Sequence, residues 1–190
     1  TSFILGGLMG TGVAPEITNS LVRLGGENVA LVLAIGVLVC ILFGMMGMIV
    51  AAYLMLALTL APALENIAGL NQLAVHLFIA YYAMLAAITP PIALAAFIAS
   101  RISDSDPMVT SLHAARLGIV LYFIPFFFLF EPALIFQGPI HLTFIWLGFN
   151  IVAVILIAGA SEGRLYGYGL LRGWARAILF AMALLIGFPE

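Results

Sequence analysis

The chain has 190 residues, of which 65% are hydrophobic and 7% charged, and its formal net charge is −2. A soluble domain carries about a quarter charged residues, so this composition excludes an ordinary water-soluble fold and predicts an all-α polytopic membrane protein. The six basic residues are all arginine and form no run, which argues against nucleic-acid binding, and a single cysteine, Cys40, allows neither an intrachain disulfide nor a cysteine metal cluster.

The chain opens on Thr1 with no charged leader before a cleavage site, so no signal peptide is expected and the sequence reads as a piece of a larger protein. Residues 1–25 are glycine-rich. Within them Pro15, Glu16, Thr18 and Asn19 read as a helix break followed by a short amphipathic helix. A membrane span needs about 20 apolar residues, and the stretches 29–64, 73–99, 114–136, 140–160 and 173–188 qualify. The first has no charge over its whole length. It is too long for one span, yet two full spans leave almost nothing for a turn.

Arginines near span ends mark the cytoplasmic side. If 29–44 crosses once and 45–66 dips in and returns as a re-entrant hairpin, all six arginines fall on that side. The opposite face, with Glu65, Asn71, Glu131, Gln137, His141 and Glu190, then has no basic residue. A full crossing by 45–64 would place Arg23 opposite Arg101. The run "AAITPPIALAAF" at 86–97 puts Pro90 and Pro91 in the middle of the next span. Proline removes a backbone donor and clashes with the preceding turn, freeing carbonyls near Ala86 and Ala87. In hydrocarbon such groups persist only where protein or a water-filled cavity satisfies them. Secondary transporters use broken helices of this kind to surround an ion or substrate at the midplane; a simple proline kink is the plainer reading. Thr89 adds a hydroxyl, which either serves the site or bonds its own helix.

Other polar positions carry less. His76 reads as interfacial, close to Asn71, with Tyr81 and Tyr82 after it. His113 and Arg116 share one helical face at a cytoplasmic span end, as headgroup contacts. "FIPFFFLFEPALIF" at 123–136 reads as lipid-facing aromatic packing and a span end, with Glu131 at the outer boundary, and Trp146, Tyr166, Tyr168 and Trp174 as interface markers. The histidines and carboxylates show no metal-ligand spacing, and no nucleophile sits in a catalytic motif, so neither an enzyme nor a resident cofactor is expected.

The segments "ITNSLVRLGGENVALVLAIGVLVCILFGMMGMIVAAYLMLALTLAPAL", "HLFIAYYAMLAAITPPIALAAFIAS" and "EGRLYGYGLLRGWARAILFAMALLIGFPE" resemble the C-terminal part of the large membrane subunit of TRAP (tripartite ATP-independent periplasmic) transporters. They are most similar to the fused permease type that works with TAXI-class binding proteins. The resemblance implies a multi-pass permease of the bacterial inner membrane, driven by a cation gradient, usually sodium. It would accept an organic acid from a periplasmic substrate-binding protein. This chain would be one of two inverted repeats, its partner being the remaining N-terminal half of the permease. A transport-type core is expected over 1–112, with the hairpin at about 45–66 and the broken helix at about 73–99, followed by C-terminal transmembrane helices over 113–190.

The family's hairpin tip, Gly-Met-Gly-x-Pro-Thr-Thr-Ala-Ala-Tyr, falls on residues 44–53. Gly44, Met45, Ala51, Ala52 and Tyr53 match, Gly47 falls on the variable position, and Met46, Met48, Ile49 and Val50 replace the second glycine, the proline and both threonines. Ala87, Ile88, Thr89, Pro90 and Pro91 match closely. The resemblance thus implies a sodium site at Thr89 and the carbonyls of Ala86, Ala87 and Ile88, with Gly44 and Gly47 allowing close backbone approach. Protons are the other coupling ion left open. A degenerate module that keeps assembly contacts without transport is the rival function.

Overall fold

A computed structural model describes Thr11, Glu16, Ser20, Arg23 and residues 28–45, 49–165 and 169–188. Two compact units divide the chain, Thr1–Leu112 and His113–Glu190. In the first, the described residues form α1 (Val29–Met45), α2 (Ile49–Ala68), α3 (Gln72–Leu85), α4 (Leu94–Ser103) and the start of α5 (Pro107–Leu117).

Helices α1, α2 and α3 pack on one another pairwise. Gly36, Cys40 and Gly44 are all buried and recur every fourth residue, so they share one face of α1. Small side chains there let the partner helices approach closely, the usual device for helix packing in membranes. A Cβ at Gly36 would run into the side chain of Leu60 in α2. Gly36 precedes the end of α1 by more than two turns, and Leu60 follows the start of α2 by about three. Their contact across a three-residue connection therefore requires α1 and α2 to run antiparallel.

This arrangement differs from the expected hairpin. Residues 49–68 form one helix, with Pro62 inside it, so the chain does not fold back within 45–66. Residues 46–48, which join α1 to α2, lie outside the described residues. Asn28 and Gly69 consequently lie at the same end of the pair. The physical reason is that antiparallel helices need only a 2–5-residue connection, so the uncharged run has room for both arms.

Asn71 caps α3: its Oδ1 accepts the Ala74 N–H at 3.2 Å. That bond satisfies a donor which the first helical turn leaves free.

In the second unit a 3-10 turn (Ile119–Tyr122), α6 (Ile124–Phe130) and another 3-10 turn (Pro132–Ile135) lead into α7 (Ile140–Glu162). A two-stranded ribbon then pairs β1 (Arg164–Leu165) with β2 (Gly169–Leu170) and leads to α8 (Gly173–Gly187), which packs along α7. Among the described residues, α7 alone is long and apolar enough to cross a membrane as a single helix. At 23 residues it is about 34 Å long, which matches a bilayer core of about 30 Å with some tilt.

The stretch expected as a membrane span over 114–136 is bent. Pro107–Leu117 and Ile119–Phe130 meet at 67°, next to Gly118 and ahead of Pro125 and Pro132. The breaks turn the aromatic run inward. Phe127, Phe128 and Leu129 are buried while Phe130 is 49% exposed, so the expectation of lipid-facing packing holds only for part of the run. Phe127 joins Ala153 and Ile157 of α7 and Ala183 of α8 in the core of this unit.

Thr143, also buried, ties α7 to the preceding turn by donating its hydroxyl to the Ala133 carbonyl at 2.7 Å. Thr143→Val keeps the shape and removes one of the two hydrogen bonds that this carbonyl accepts, the Phe136 N–H at 3.1 Å remaining. Thermal unfolding of the full-length protein should register a loss of about 0.5–1.5 kcal/mol; an unchanged midpoint would mean that the Phe136 N–H alone satisfies the carbonyl.

Candidate functional site

Helix α3 ends at Leu85 and α4 starts at Leu94, and the intervening backbone carries the proline pair. The peptide joining Pro90 to Pro91 is cis, and Ala93 adopts a left-handed conformation with φ 40°. Tight turns follow the helix: Ala87 N–H donates to the Met84 carbonyl, Ile88 N–H to Leu85, and Thr89 N–H to Ala86 at 3.3 Å. The Ala87 carbonyl then accepts the Ala95 N–H at 2.9 Å. This bond joins the two halves of the broken helix by using one otherwise orphaned donor in the first turn of α4.

These bonds sort the candidate oxygens. Ala86 and Ala87 each accept a backbone donor, and no backbone N–H among the described residues donates to Ile88. A carbonyl has two lone pairs and an engaged one can still coordinate, so all three remain chemically able to hold a hard cation. The Thr89 hydroxyl donates to the Leu85 carbonyl at 2.7 Å. That is the helix-backbone bond anticipated as the plain alternative. It consumes the proton and leaves the oxygen's lone pairs as acceptors. Pro91 is exposed, while Thr89 and Pro90 are half-buried.

Gly44 brings the hairpin to this break. A Cβ at Gly44 would lie 2.5 Å from the Ala83 carbonyl oxygen and 2.6 Å from the Ala86 Cβ. Only a glycine lets the last turn of α1 sit so close to the backbone where α3 ends. Gly44 and Ala86, named as candidates from separate stretches of sequence, are therefore neighbours. Gly47 and Met48 lie outside the described residues. Val50, where the family pattern has threonine, is 63% exposed, on the outward side of α2.

A second polar grouping was not anticipated as a unit. The Tyr53 hydroxyl and His76 Nδ1 are 3.2 Å apart, and His76 Nε2 lies 3.8 Å from Glu65 Oε1. Both Tyr53 and Glu65 stand on α2, so His76 of α3 bridges two points of one helix. His76 and Glu65 are about one-third and one-quarter exposed, in keeping with the interfacial reading of His76. The signal in sequence was weak, because the partners stand eleven and twenty-three positions away.

The proline break and the glycine-docked end of α1 thus meet where α3 ends. No curated protein and no solved structure matches the chain. The family of the tripartite ATP-independent periplasmic transporter, DctM component, matches residues 1–141, nearly three-quarters of the chain. That match takes in α1 to α6, including the hairpin, the break and every candidate residue above. The chain belongs to the DctM family of tripartite transporters, as a membrane component of a transport system.

Proposed function

We propose that the chain carries half of the transport path of a TRAP permease in the bacterial inner membrane. In this reading it couples uptake of an organic acid, delivered by a periplasmic binding protein of the TAXI class, to a sodium or proton gradient. Helices α1 and α2 form a re-entrant hairpin, α3 and α4 the broken helix, and an inverted repeat in the remaining N-terminal half completes the site. The observation that carries this reading is the approach of Gly44 to Ala83 and Ala86, because it places the hairpin end against the one turn rich in backbone oxygens. Hard cations prefer such oxygens. The carbonyl of Ile88 and the hydroxyl of Thr89 are the ligands of choice.

Thr89→Val tests it in the full-length permease. The substitution keeps β-branching and removes the hydroxyl. The Leu85 carbonyl keeps the Ile88 N–H at 3.1 Å, so folding should change little. Apparent sodium affinity in uptake should fall about tenfold, as expected for one lost polar ligand, and Thr89→Ser should restore it. Sodium dependence identical in Thr89→Val and the parent would remove Thr89 from the site.

A second reading is favoured by one feature. Met48, Ile49 and Val50 replace the family's Pro-Thr-Thr, and neither a thioether nor aliphatic side chains replace hydroxyl ligands. A permease with that tip could persist as an assembly module without coupling. Absence of gradient-driven uptake by the full-length protein, with assembly intact, would decide for it.

A further inference from the structure

Four of the six arginines converge on the end of α7. Arg116 pairs with Glu162 at 3.3 Å. Arg176, in the first turn of α8, donates through Nε to the Ala160 carbonyl at 2.7 Å and through Nη2 to the Ser161 carbonyl at 2.8 Å. These two arginines have a structural role: they complement the negative C-terminal end of a long helix and satisfy carbonyls that have no helical donor.

Arg164 and Arg172 are different. Arg164 directly follows Gly163, and across the ribbon the Leu171 N–H donates to the Gly163 carbonyl at 2.8 Å, which brings Arg172 to the same place. Both are exposed, and neither guanidinium makes a hydrogen bond or ion pair among the described residues. The only carboxylate in the group, Glu162, is already paired with Arg116. Four positive charges thus face one negative charge, and two guanidiniums have no counter-ion among the described residues. Trp174, 65% exposed, stands two residues from Arg172, as aromatic side chains do at the headgroup level of a bilayer.

We propose that Arg164 and Arg172 bind the headgroup phosphate of anionic phospholipids at the membrane surface, with Trp174 as the interfacial anchor. Charge complementarity selects the ligand. A guanidinium fork matches a phosphate oxygen pair, and an unpaired cationic cluster at the end of a membrane helix faces anionic lipid first. The α7 span supplies the placement, since its apolar length ends at Glu162. The inference needs the membrane embedding of the chain and is independent of whether it transports.

The test uses the full-length permease in nanodiscs of phosphatidylcholine containing phosphatidylglycerol, with the lipids retained after detergent extraction counted by native mass spectrometry. The parent should retain phosphatidylglycerol over phosphatidylcholine. Replacing each arginine by glutamine should weaken that preference about fivefold, with the double variant R164Q/R172Q losing nearly all of it. Arg→Lys at both positions keeps the charge and should retain most of it, which separates binding from any effect on folding. Equal phosphatidylglycerol retention by the parent and R164Q/R172Q would overturn the proposal. Displacement of the lipid by millimolar inorganic phosphate would do so too, by showing a site for a free anion. So would protection of Arg172→Cys from a water-soluble thiol reagent in lipid-free detergent, because another protein segment would then cover the cluster.

Discussion

Gly44→Ala should destabilise the first unit by about 1–3 kcal/mol, the usual cost of overpacking a filled site, although alanine is the better helix former by about 0.5–1 kcal/mol. The added methyl would meet the Ala83 carbonyl at 2.5 Å and the Ala86 Cβ at 2.6 Å. Neither obstacle is the tip of a flexible chain: one is backbone and the other is fixed to it. Helix α1 would have to withdraw from α3 by roughly the shortfall from a van der Waals contact of about 3.5–4.0 Å. Gly148→Ala provides the internal standard, since nothing lies within 4 Å of a Cβ there, and it should be neutral or slightly stabilising.

Thermal unfolding of both variants in the full-length permease measures the difference directly. Uptake adds a second readout, because the same withdrawal separates the hairpin from the Ile88 and Thr89 oxygens. If Gly44→Ala unfolds and transports like Gly148→Ala, the contact between α1 and the end of α3 is not made as described.

The proline break was legible in the sequence because proline acts locally: wherever Pro90 and Pro91 fall, the helix must end and carbonyls must find new partners. The antiparallel pairing of α1 and α2, with residues 49–68 as one helix, was not legible. Residues 44–53 include neither a proline nor an Asn-Gly pair that would mark a turn. What fixes it is contact between residues far apart, Gly36 with Leu60 and Gly44 with Ala83. The spacing of Gly36, Cys40 and Gly44 was nevertheless visible, and small residues at every fourth position point to a packed helix face. A lone crossing in lipid has no need of that face.

The aromatic run failed for a related reason. Hydropathy cannot separate a side chain that faces lipid from one that faces protein when both surroundings are apolar. Only the bend near Gly118, invisible to an average over a window, turns Phe127 inward. The arginine cluster lies between these cases. Its charges could be counted from sequence, but which two lacked partners depended on Arg176 reaching back to Ala160 and Ser161.

Phe127→Ala should cost the second unit about 3–5 kcal/mol, the range for removing a buried aromatic ring. The lower end is expected here because lipid is as apolar as the core, so the lost contacts and the cavity carry most of the cost. The ring is 2% exposed and packs among Ala153, Ile157 and Ala183, and it makes a tilted contact with Phe188 at 5.2 Å between centroids. It also lies directly over Gly187, where any Cβ would collide with it. That collision yields a sharper expectation than the single variant. Gly187→Ala in the parent must push the ring aside and should destabilise by about 1–3 kcal/mol. In the Phe127→Ala background the same methyl enters space that the ring has vacated, so it should be neutral or restore part of the loss. A double-mutant cycle by thermal or denaturant unfolding should therefore show strong non-additivity, beyond the few tenths of a kcal/mol expected of independent sites. Additive losses would mean that α8 does not pack on Phe127, and the core assigned to this unit would have to be redrawn.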